Sequence, residues 1–265
     1  MVAKIGAMAN MSNGLNEKIL ITTIVRNRGI YLNRYYIQLK KIVQTFPECD
    51  FYLSIYENDS TDNTKKLLKE FNWSFFKKYS IVCEDIKTPY FGSHPIEERV
   101  KNLADARNKC LIAKNLYLEC NKILMIDSDI RFESLTIRRL LNFQKRHRLD
   151  RVDIVSGIAL HEDLWHWDTW GTRRNQLENR GGLFIGWENR EYDRYYGTSN
   201  GLCLYNAEPF KKGVRYGWFN TVLNTFDCEM IVVCQEFHKL KYDKIYIDYK
   251  AVCYHGEKSL VKNEN

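Results

Sequence analysis

The stretch KILMIDSDIRF, residues 122–132, decides how the rest of the chain is interpreted. Its apolar residues 123–126 predict a buried strand, and Asp127 and Asp129 follow that strand directly. Two carboxylates one residue apart can reach one ligand only if the chain turns after the strand. A bound divalent cation would stabilise this turn, since carboxylate oxygens are hard ligands that suit Mn²⁺ or Mg²⁺. Such triplets also occur on ordinary surfaces, and the position after a strand favours the metal interpretation.

The sequence on both sides of this stretch alternates between strand and helix patterns. In chain order the predicted elements are strand 18–25, helix 30–46, strand 50–58, helix 59–71, strand 79–85, helix 103–120, strand 122–126 and helix 134–144. Short connections between them favour parallel strands. We therefore expect an α/β fold with a Rossmann-like, mostly parallel open sheet and helices on both faces. Such a sheet binds ligands at the carboxyl ends of its strands, where Asp127 and Asp129 lie.

The second half of the chain has a different pattern. Strands are predicted over residues 153–160, 201–206 and 244–255, and a long stretch separates the first two. This stretch, 161–201, is rich in Gly, Arg and Asn and contains Trp165, Trp167, Trp170 and Trp187. It is too long and polar for a simple connection, so we expect a functional loop region over the site. We expect a flexible N-terminus (1–17), one domain (18–258, with halves 18–133 and 134–258) and a tail (259–265).

Composition limits the classes of function. The formal net charge is +7, but the basic residues are scattered, and the sequence has no basic block or RNA-binding motif. We therefore expect no nucleic-acid partner. Eight cysteines without a C-x-x-C pair predict free thiols. No signal-peptide core and no apolar run of about 18 residues is present, so we expect a cytoplasmic protein without a membrane span.

Polar residues at two further places predict contacts with an anionic or hydroxylated ligand. Glu57 and Asp59 end the second strand, where they can accept hydrogen bonds from ribose hydroxyls or a base. Helix capping by Asp59 or Ser60 is an equally good explanation for those two residues. Arg107 and Asn108 lie on the helix before the Asp127 strand, where an arginine can bind a diphosphate.

The last predicted strand ends in His255, which can complete a metal site with Asp127 and Asp129. Lys258 can then reach a phosphate held by the metal. A hydrogen-bonded surface histidine and a solvated lysine are the alternatives.

Asp227 and Glu229 precede another helix-like run. A partly buried carboxylate at such a place can serve as a general base. Capping of the helix is the alternative for Asp227.

Four segments in this order, ILITTIVRN, SIYENDSTDNTKKLL, LADARNKCL and ILMIDSDIRF, resemble a nucleotide-sugar glycosyltransferase of the GT-A fold. More narrowly, they resemble the fungal capsule-associated α-1,3-mannosyltransferase family, as do the later segments NGL (200–202) and FDCEM (226–230). The resemblance covers roughly residues 19–256. It makes 18–133 the nucleotide-binding half and 134–258 the acceptor-binding half.

The resemblance implies roles for individual residues. It makes Asp127 and Asp129 metal ligands beside His255, and it implies a Mn²⁺ (or Mg²⁺) cofactor. The expected donor-binding residues are Arg26, Glu57, Asp59, Arg107, Asn108, Asp127 and Lys258. The expected acceptor- or sugar-binding residues are Trp187, Asn200 and Gly201, and the expected catalytic residues are Asp227 and Glu229. If the enzyme inverts the anomeric centre, one of these two carboxylates is the base that deprotonates the acceptor hydroxyl. If it retains, as the fungal family suggests, the carboxylate positions the donor sugar instead.

The expected function is metal-dependent transfer of a sugar, by resemblance mannose, from GDP-mannose or a UDP-sugar to a hydroxyl of a glycan or glycoconjugate acceptor. The alternative is a carbohydrate- or nucleotide-sugar-binding protein with the same fold and no turnover. Tryptophans that stack on sugar rings fit both.

Overall fold

The computed structural model describes residues 17–161, 165–166 and 168–255. The strands in these ranges are Glu17–Val25 (β1), Cys49–Asn58 (β2), Lys78–Glu84 (β3), Lys122–Ile126 (β4), Ile130–Phe132 (β5), Ile154–His161 (β6), Tyr192–Tyr195 (β7), Leu202–Asn206 (β8), Phe219–Asn220 (β9), Thr225–Phe226 (β10) and Ile245–His255 (β11). The α-helices there are Gly29–Thr45 (α1), Thr64–Glu70 (α2), Glu97–Ile112 (α3), Ser134–Leu141 (α4), Phe143–Arg146 (α5), Glu208–Lys211 (α6) and Glu229–Lys239 (α7). Short 3₁₀ segments cover Ala113–Glu119 and Trp187–Asn189.

The first four strands form the parallel part of the sheet, in the order β3-β2-β1-β4. Successive side chains of a strand point to opposite faces, and β1 follows this rule. Ile19 and Ile21 pack in one cluster with Leu32 of α1, whereas Leu20 packs in another with Ala104 of α3. Helices therefore cover both faces of the sheet, as predicted.

The sheet continues through the second half as β4-β8-β6-β11-β5, and β7 also pairs with β11. β8 is antiparallel to β4 and β6, and β5 and β7 are antiparallel to β11. β6 and β11 are parallel to each other. Six of the nine strands, β1–β4, β6 and β11, consequently run in one direction. This confirms the predicted mostly parallel open sheet.

The final strand returns to the edge that carries the two carboxylates. After β4 the chain turns through Asp127 and Asp129 and forms β5, which pairs with the end of β11. In this pairing His255 lies opposite Ile130. A metal site shared by His255 and the β4 turn requires this strand arrangement.

Two helix predictions were wrong at their boundaries. The helix predicted over 59–71 begins only at Thr64, so Asp59 and Ser60 do not cap it, and Asp62 accepts the Thr64 N–H instead (2.9 Å). The helix predicted over 103–120 begins at Glu97 and ends at Ile112. Lys114 and Asn115 then have φ values of 51° and 54°, which break the helix although the apolar spacing continues.

The long segment between β6 and β8 has little regular structure in its described part, as predicted. Hydrogen bonds hold it in place: the Arg173 N–H donates to the Gly197 carbonyl (2.8 Å), and the Gly181 N–H donates to the Thr169 carbonyl (3.0 Å). All eight cysteines of the chain are free thiols, and six are buried. None of the helices in the described ranges is long and apolar enough to cross a membrane.

Candidate active site

A cavity of about 380 Å³ opens at the carboxyl edge of the sheet. Val25 at the end of β1, Asn58 at the end of β2 and Asp127 after β4 line it. Its charged lining residues are Arg26, Arg28, Arg99, Arg107, Asp127, Asp129, Asp168, Glu229 and His255. Parallel α/β sheets bind their ligands at this edge, and the volume suits a small organic ligand.

Asp127 lies against Gly201, a residue from the second half of the chain. The Asp127 N–H donates to the Gly201 carbonyl (2.8 Å), and Gly201 has a φ of +65°. A Cβ atom at position 201 would lie 3.3 Å from Asp127 Oδ2 and 3.2 Å from the Ile130 side chain. Glycine therefore supplies both the left-handed backbone and the space that the carboxylate occupies.

The environment of Asp127 is strongly acidic. Burial raises its pKa to about 6; the positive charge of Arg107 opposes this, and the negative charges of Asp129, Asp168 and Glu229 add to it. Burial is the largest cause of this raised pKa, and the three neighbouring carboxylates outnumber the one arginine beside them. A divalent cation in the cavity would relieve this excess.

Asp129 has the opposite environment. Its Oδ2 accepts a hydrogen bond from Arg28 Nε (3.0 Å) and lies 3.4 Å from His255 Nε2. Burial alone would raise the pKa of Asp129, but the hydrogen bond and charge of His255, followed by those of Arg28, lower it below the ordinary value. Asp129 is therefore held ionised.

The side chains offered here fit a divalent cation by their chemistry. Asp127, Asp129 and His255 line one cavity and supply two carboxylates and an imidazole, a set that Mn²⁺ accepts. Within the described residues, no three His, Cys, Asp or Glu side chains are already arranged as a metal site. Arg28 Nε donates to Oδ2 of Asp129, so a cation that binds this oxygen must compete with Arg28.

Arg107 lies largely buried between two carboxylates. Its Nε donates to Glu229 Oε1 (2.9 Å), and its NH2 group lies 3.4 Å from Asp127 Oδ1. Burial would lower its pKa, but Asp127 and Glu229 raise it well above the usual value. Asn108 faces elsewhere: it donates to the Tyr216 carbonyl and accepts from the Tyr216 N–H (both 2.9 Å). Donor contact by either residue stays a prediction.

Asp227 and Glu229, both predicted to be catalytic, differ in what they face. Glu229 lines the main cavity, whereas Asp227 does not. Asp227 is buried and accepts hydrogen bonds from Arg173 NH2 (2.6 Å), Asn220 Nδ2 (2.8 Å) and its neighbour's N–H, that of Cys228 (2.8 Å). These bonds make Asp227 a structural anchor in this geometry, and a catalytic role for either residue stays a prediction.

Glu57 and Asp59 both hold backbone. Glu57 is buried, and its Oε1 accepts the Ser60 N–H (2.7 Å). Asp59 accepts the N–H groups of Lys87 (2.8 Å) and Thr88 (2.9 Å). Burial is the largest single influence and opposes ionisation of Asp59, but the hydrogen bonds together outweigh it and lower its pKa to about 2. Neither residue lines the cavity, and their contact with a nucleoside stays a prediction.

Residues 86–93, here called the strap, form one wall of the cavity; residues 88–93 of it line the opening. Arg26 fixes the strap by donating to the carbonyls of Thr88 (2.6 Å) and Pro89 (3.1 Å). The Arg26 guanidinium also lies 5.4 Å from the ring centre of Tyr90, whose side chain is 62% exposed. The strap therefore presents an exposed aromatic ring at the cavity mouth.

Asn200 and Trp187, predicted to bind sugar, lie in different places. Asn200 is buried beside the lining residue Gly201, and its Nδ2 donates to Ser156 Oγ (3.2 Å) and Thr198 Oγ1 (3.0 Å). Trp187 packs on Tyr249, with ring centres 5.8 Å apart, and lines neither this cavity nor a second one beside it. Sugar contact by these two residues stays a prediction. Lys258 lies outside the described residues.

Sequence reasoning missed Asp168, which lines the cavity from the long segment together with Trp170, one of the tryptophans predicted to lie over the site. Asp168 Oδ1 accepts the Gly171 N–H (2.8 Å), and Oδ2 accepts the Asn200 N–H (3.2 Å). The spacing of Asp168 and Gly171 in DTWG is the signal of an Asx-type turn that could have drawn attention to this place. Arg28, in a segment predicted only as a turn, was missed as well.

The order of the strands and the position of the cavity at their carboxyl edge are those of the GT-A fold. Solved structures agree on this fold. S. aureus TarS 1–349 in complex with UDP-GlcNAc superposes with a TM-score of 0.55 at 13% identity, over 92% of this chain and 59% of that one. Mannosyltransferase PcManGT from Pyrobaculum calidifontis, in complex with GDP-Man and Mn²⁺, gives 0.54 at 10% identity, over 92% and 59%.

GalNAc-T7 with UDP, GalNAc and Mn²⁺ gives a TM-score of 0.52 at 12% identity, over 92% of this chain and 44% of that one. The chain thus spans about half of the length of these structures. Among curated proteins, no sequence matches it significantly. The sequence profile described as Cryptococcal mannosyltransferase 1 matches residues 18–236. The chain belongs to this family.

Proposed function

We propose that the chain transfers a sugar, mannose by family membership, from a nucleotide-diphospho-sugar to a hydroxyl of a glycan acceptor, with Mn²⁺ or Mg²⁺ as cofactor. The observation that carries this is the shared cavity of Asp127, Asp129, Glu229 and His255 at the carboxyl edge of a GT-A sheet. The ligands named for two neighbours, GDP-Man with Mn²⁺ and UDP-GlcNAc, support a nucleotide-sugar donor.

Asp127, Asp129 and His255 are the residues that would hold the cation. A bound cation supplies Lewis-acid stabilisation of the negative charge on the departing diphosphate. Arg28 and Arg26 lie on the strap side of the same cavity and add fixed positive charge for that diphosphate. Tyr90 gives the nucleoside base an exposed ring against which to stack.

Glu229 lines the main cavity, whereas the Asp227 carboxylate is engaged by Arg173 and Asn220. Arg107 fixes Glu229 in one orientation, because its Nε donates to Oε1. A carboxylate held in this way can accept a hydrogen bond from a sugar hydroxyl and orient it. This assigns Glu229 to positioning of the sugar, the role expected of a retaining enzyme. The free thiols of the chain support a cytoplasmic location.

A thermal-shift screen of GDP-mannose, UDP-GlcNAc, UDP-glucose and UDP-galactose, each with and without Mn²⁺, tests this proposal. A ligand present at about 100 times its Kd stabilises the native state by about 2.7 kcal/mol. For a chain of this size that corresponds to a rise in Tm of roughly 5 to 10 °C. We expect one donor to reach this range with Mn²⁺ and to lose most of it in EDTA.

Turnover separates the enzyme from a binding protein of the same fold. The stabilising donor is incubated with Mn²⁺, and release of free sugar or transfer to oligosaccharides is measured. Stabilisation without hydrolysis or transfer would support a non-catalytic binding protein. If no nucleotide sugar raises the Tm in the presence of Mn²⁺, the donor assignment is wrong.

A further inference from the structure

A second cavity, of about 230 Å³, lies beside the main one. Its walls include the apolar side chains Trp170, Leu223 and Phe226 and the polar side chains Asn179, Arg180 and Thr225. Trp170 lines both cavities. Trp170 is one of the tryptophans predicted to stack on sugar rings, and Asp227, which was predicted to be catalytic, also lines the second cavity.

The backbone connects the second cavity to the reacting part of the main one. Asp227 lines the second cavity, and the next two residues, Cys228 and Glu229, line the main cavity. A ligand in the second cavity therefore lies beside Asp227, two residues before Glu229, the carboxylate proposed to position the donor sugar. An acceptor must occupy such a position so that its hydroxyl can approach the anomeric carbon.

The wall that carries Trp170 is fixed before any ligand arrives. The Gly171 N–H donates to Asp168 Oδ1 (2.8 Å), which closes the turn that contains Trp170. Arg173, almost fully buried, donates to the Trp170 carbonyl and to Asp227 Oδ1. Binding then requires little ordering of the protein, and an indole held at the mouth of a cavity suits the apolar face of a pyranose ring.

The charge at the second cavity is positive. Asp227 and Arg173 form a buried ion pair (2.6 Å) and neutralise each other. Arg180 forms no ion pair with any residue that the structure describes, whereas Arg174 pairs with Glu178 and Arg190 pairs with Asp193. Arg180 is thus the uncompensated charge at this cavity within the described residues, and a guanidinium binds carboxylates and phosphates by paired hydrogen bonds.

We infer that the second cavity is the acceptor subsite and takes a pyranose that carries a negative charge, either a uronic acid or a sugar phosphate. Trp170 stacks on the ring, Arg180 binds the anionic group, and Asn179 and Thr225 hydrogen-bond hydroxyls. The name "acceptor" rests on the proposed function. Binding of the anionic sugar does not.

The test measures binding of three probes to the full chain by saturation-transfer NMR: glucuronic acid, mannose 6-phosphate and the neutral methyl α-mannoside. We expect both anionic probes to bind more tightly than the neutral one, without displacement by GDP and Mn²⁺. Arg180→Ala should weaken the anionic probes about tenfold, since a charged hydrogen bond is lost, and leave the neutral probe unchanged. Arg190→Ala, a matched arginine outside both cavities, should change nothing.

Trp170→Ala should weaken all three probes about tenfold, and Trp170→Phe, which keeps an aromatic face, should restore most of the binding. The Arg180 variant keeps the buried anchors, so its result stands even if a Trp170 variant fails to fold. Glucuronic acid and mannose 6-phosphate distinguish a carboxylate from a phosphate as the preferred anion.

Four results overturn the inference: equal affinity for neutral and anionic probes, equal effects of Arg180→Ala and Arg190→Ala, displacement of the anionic probes by GDP and Mn²⁺, or no binding of either anionic probe. Failure of the proposed function would give a different result. No nucleotide sugar would then stabilise the chain, while glucuronic acid and mannose 6-phosphate would still bind.

Discussion

The two halves of the nine-stranded sheet are built by different rules. In residues 17–133, parallel strands alternate with helices, and neighbouring elements in the sequence become neighbours in space. In residues 134–255, β8 lies between strands that precede it in the chain, and a long irregular segment supplies Asp168, Trp170 and Arg173. The first half supplies Asp127 from a strand end and Arg107 from α3. The second half supplies His255 from a strand end, Glu229 from the start of α7 and Asp168 from the irregular segment.

This difference shows which contacts make the site. Asp127 from the first half is fixed by Gly201 from the second half. Arg107 from the first half pairs with Glu229 from the second half, 122 residues further along the chain. Residues of both halves therefore form the cavity. Variants in each half should show which residues act in sugar transfer and which stabilise the fold.

The largest effect is expected at the carboxyl edge of the first half. Asp127→Ala and Asp129→Ala should each lower kcat by at least about a hundredfold, because the charges that hold the cation and the leaving diphosphate are lost. The fold should persist, which circular dichroism and the Tm would verify. Asp150→Asn, at an exposed position remote from the cavity lining, is the control. Full transfer by both alanine variants in EDTA would rule out metal-dependent catalysis.

The two acidic residues of the second half should behave differently from each other. Glu229→Gln should lower kcat by roughly a hundredfold with little change in stability, because Arg107 still faces Asp127. Asp227→Ala should chiefly destabilise, by about 3 to 5 kcal/mol, since it leaves the buried Arg173 without its partner. Urea unfolding and kinetics of both variants measure this, and the reverse pattern would make Asp227 the functional carboxylate.

The sequence predicted the first half better than the second for a physical reason. Strand and helix periodicities report local burial, so the strand that ends in Asp127 and the helices on both faces were evident. The end of α3 at Ile112 was not evident, because the apolar spacing continues and the break lies in the backbone angles of Lys114 and Asn115. Pairings such as Arg173 with Asp227 depend on contacts distant in sequence, and no periodicity encodes them.

The next largest effect is expected at His255, which ends the second half and lies beside Asp129 of the first half. His255→Ala should weaken Mn²⁺ binding by about ten- to a hundredfold, because the imidazole lies 3.4 Å from Asp129 Oδ2 and either binds the cation or orients this carboxylate. Calorimetric titration of Mn²⁺ in the presence of GDP measures the change. The control is His94→Ala, at an exposed position outside the cavity lining. Equal Mn²⁺ affinity of the His255 and His94 variants would show that His255 takes no part in the metal site.

A change of pH should have a smaller effect on stability and on Mn²⁺ affinity, and its direction follows from the pKa of Asp127. The pKa of Asp127 is raised to about 6 in the folded chain, so this carboxyl group holds a proton between about pH 4 and 6 that the unfolded chain releases. Its contribution to stability is therefore present at low pH and is lost as the pH rises through about 6. Cation binding needs the ionised form, so Mn²⁺ affinity should fall by up to about tenfold from pH 6 to 5. Asp127→Asn should not show this change of stability with pH. If its pH profile of stability is the same as that of the unsubstituted chain, the raised pKa of Asp127 is contradicted.

The smallest effect separates two roles for Asp59. If it only anchors the strap, Asp59→Ala should raise the donor KM about threefold, leave kcat unchanged and speed hydrogen exchange at Lys87 and Thr88, whose N–H groups it accepts. A direct contact with the nucleoside would instead leave exchange in the free protein unchanged and make the KM effect depend on the base. Asp85→Ala, which removes an exposed carboxylate beside the strap, is the matched control. Because the pKa of Asp59 is about 2, the anchor stays ionised above about pH 4, and the comparison holds throughout the assay range.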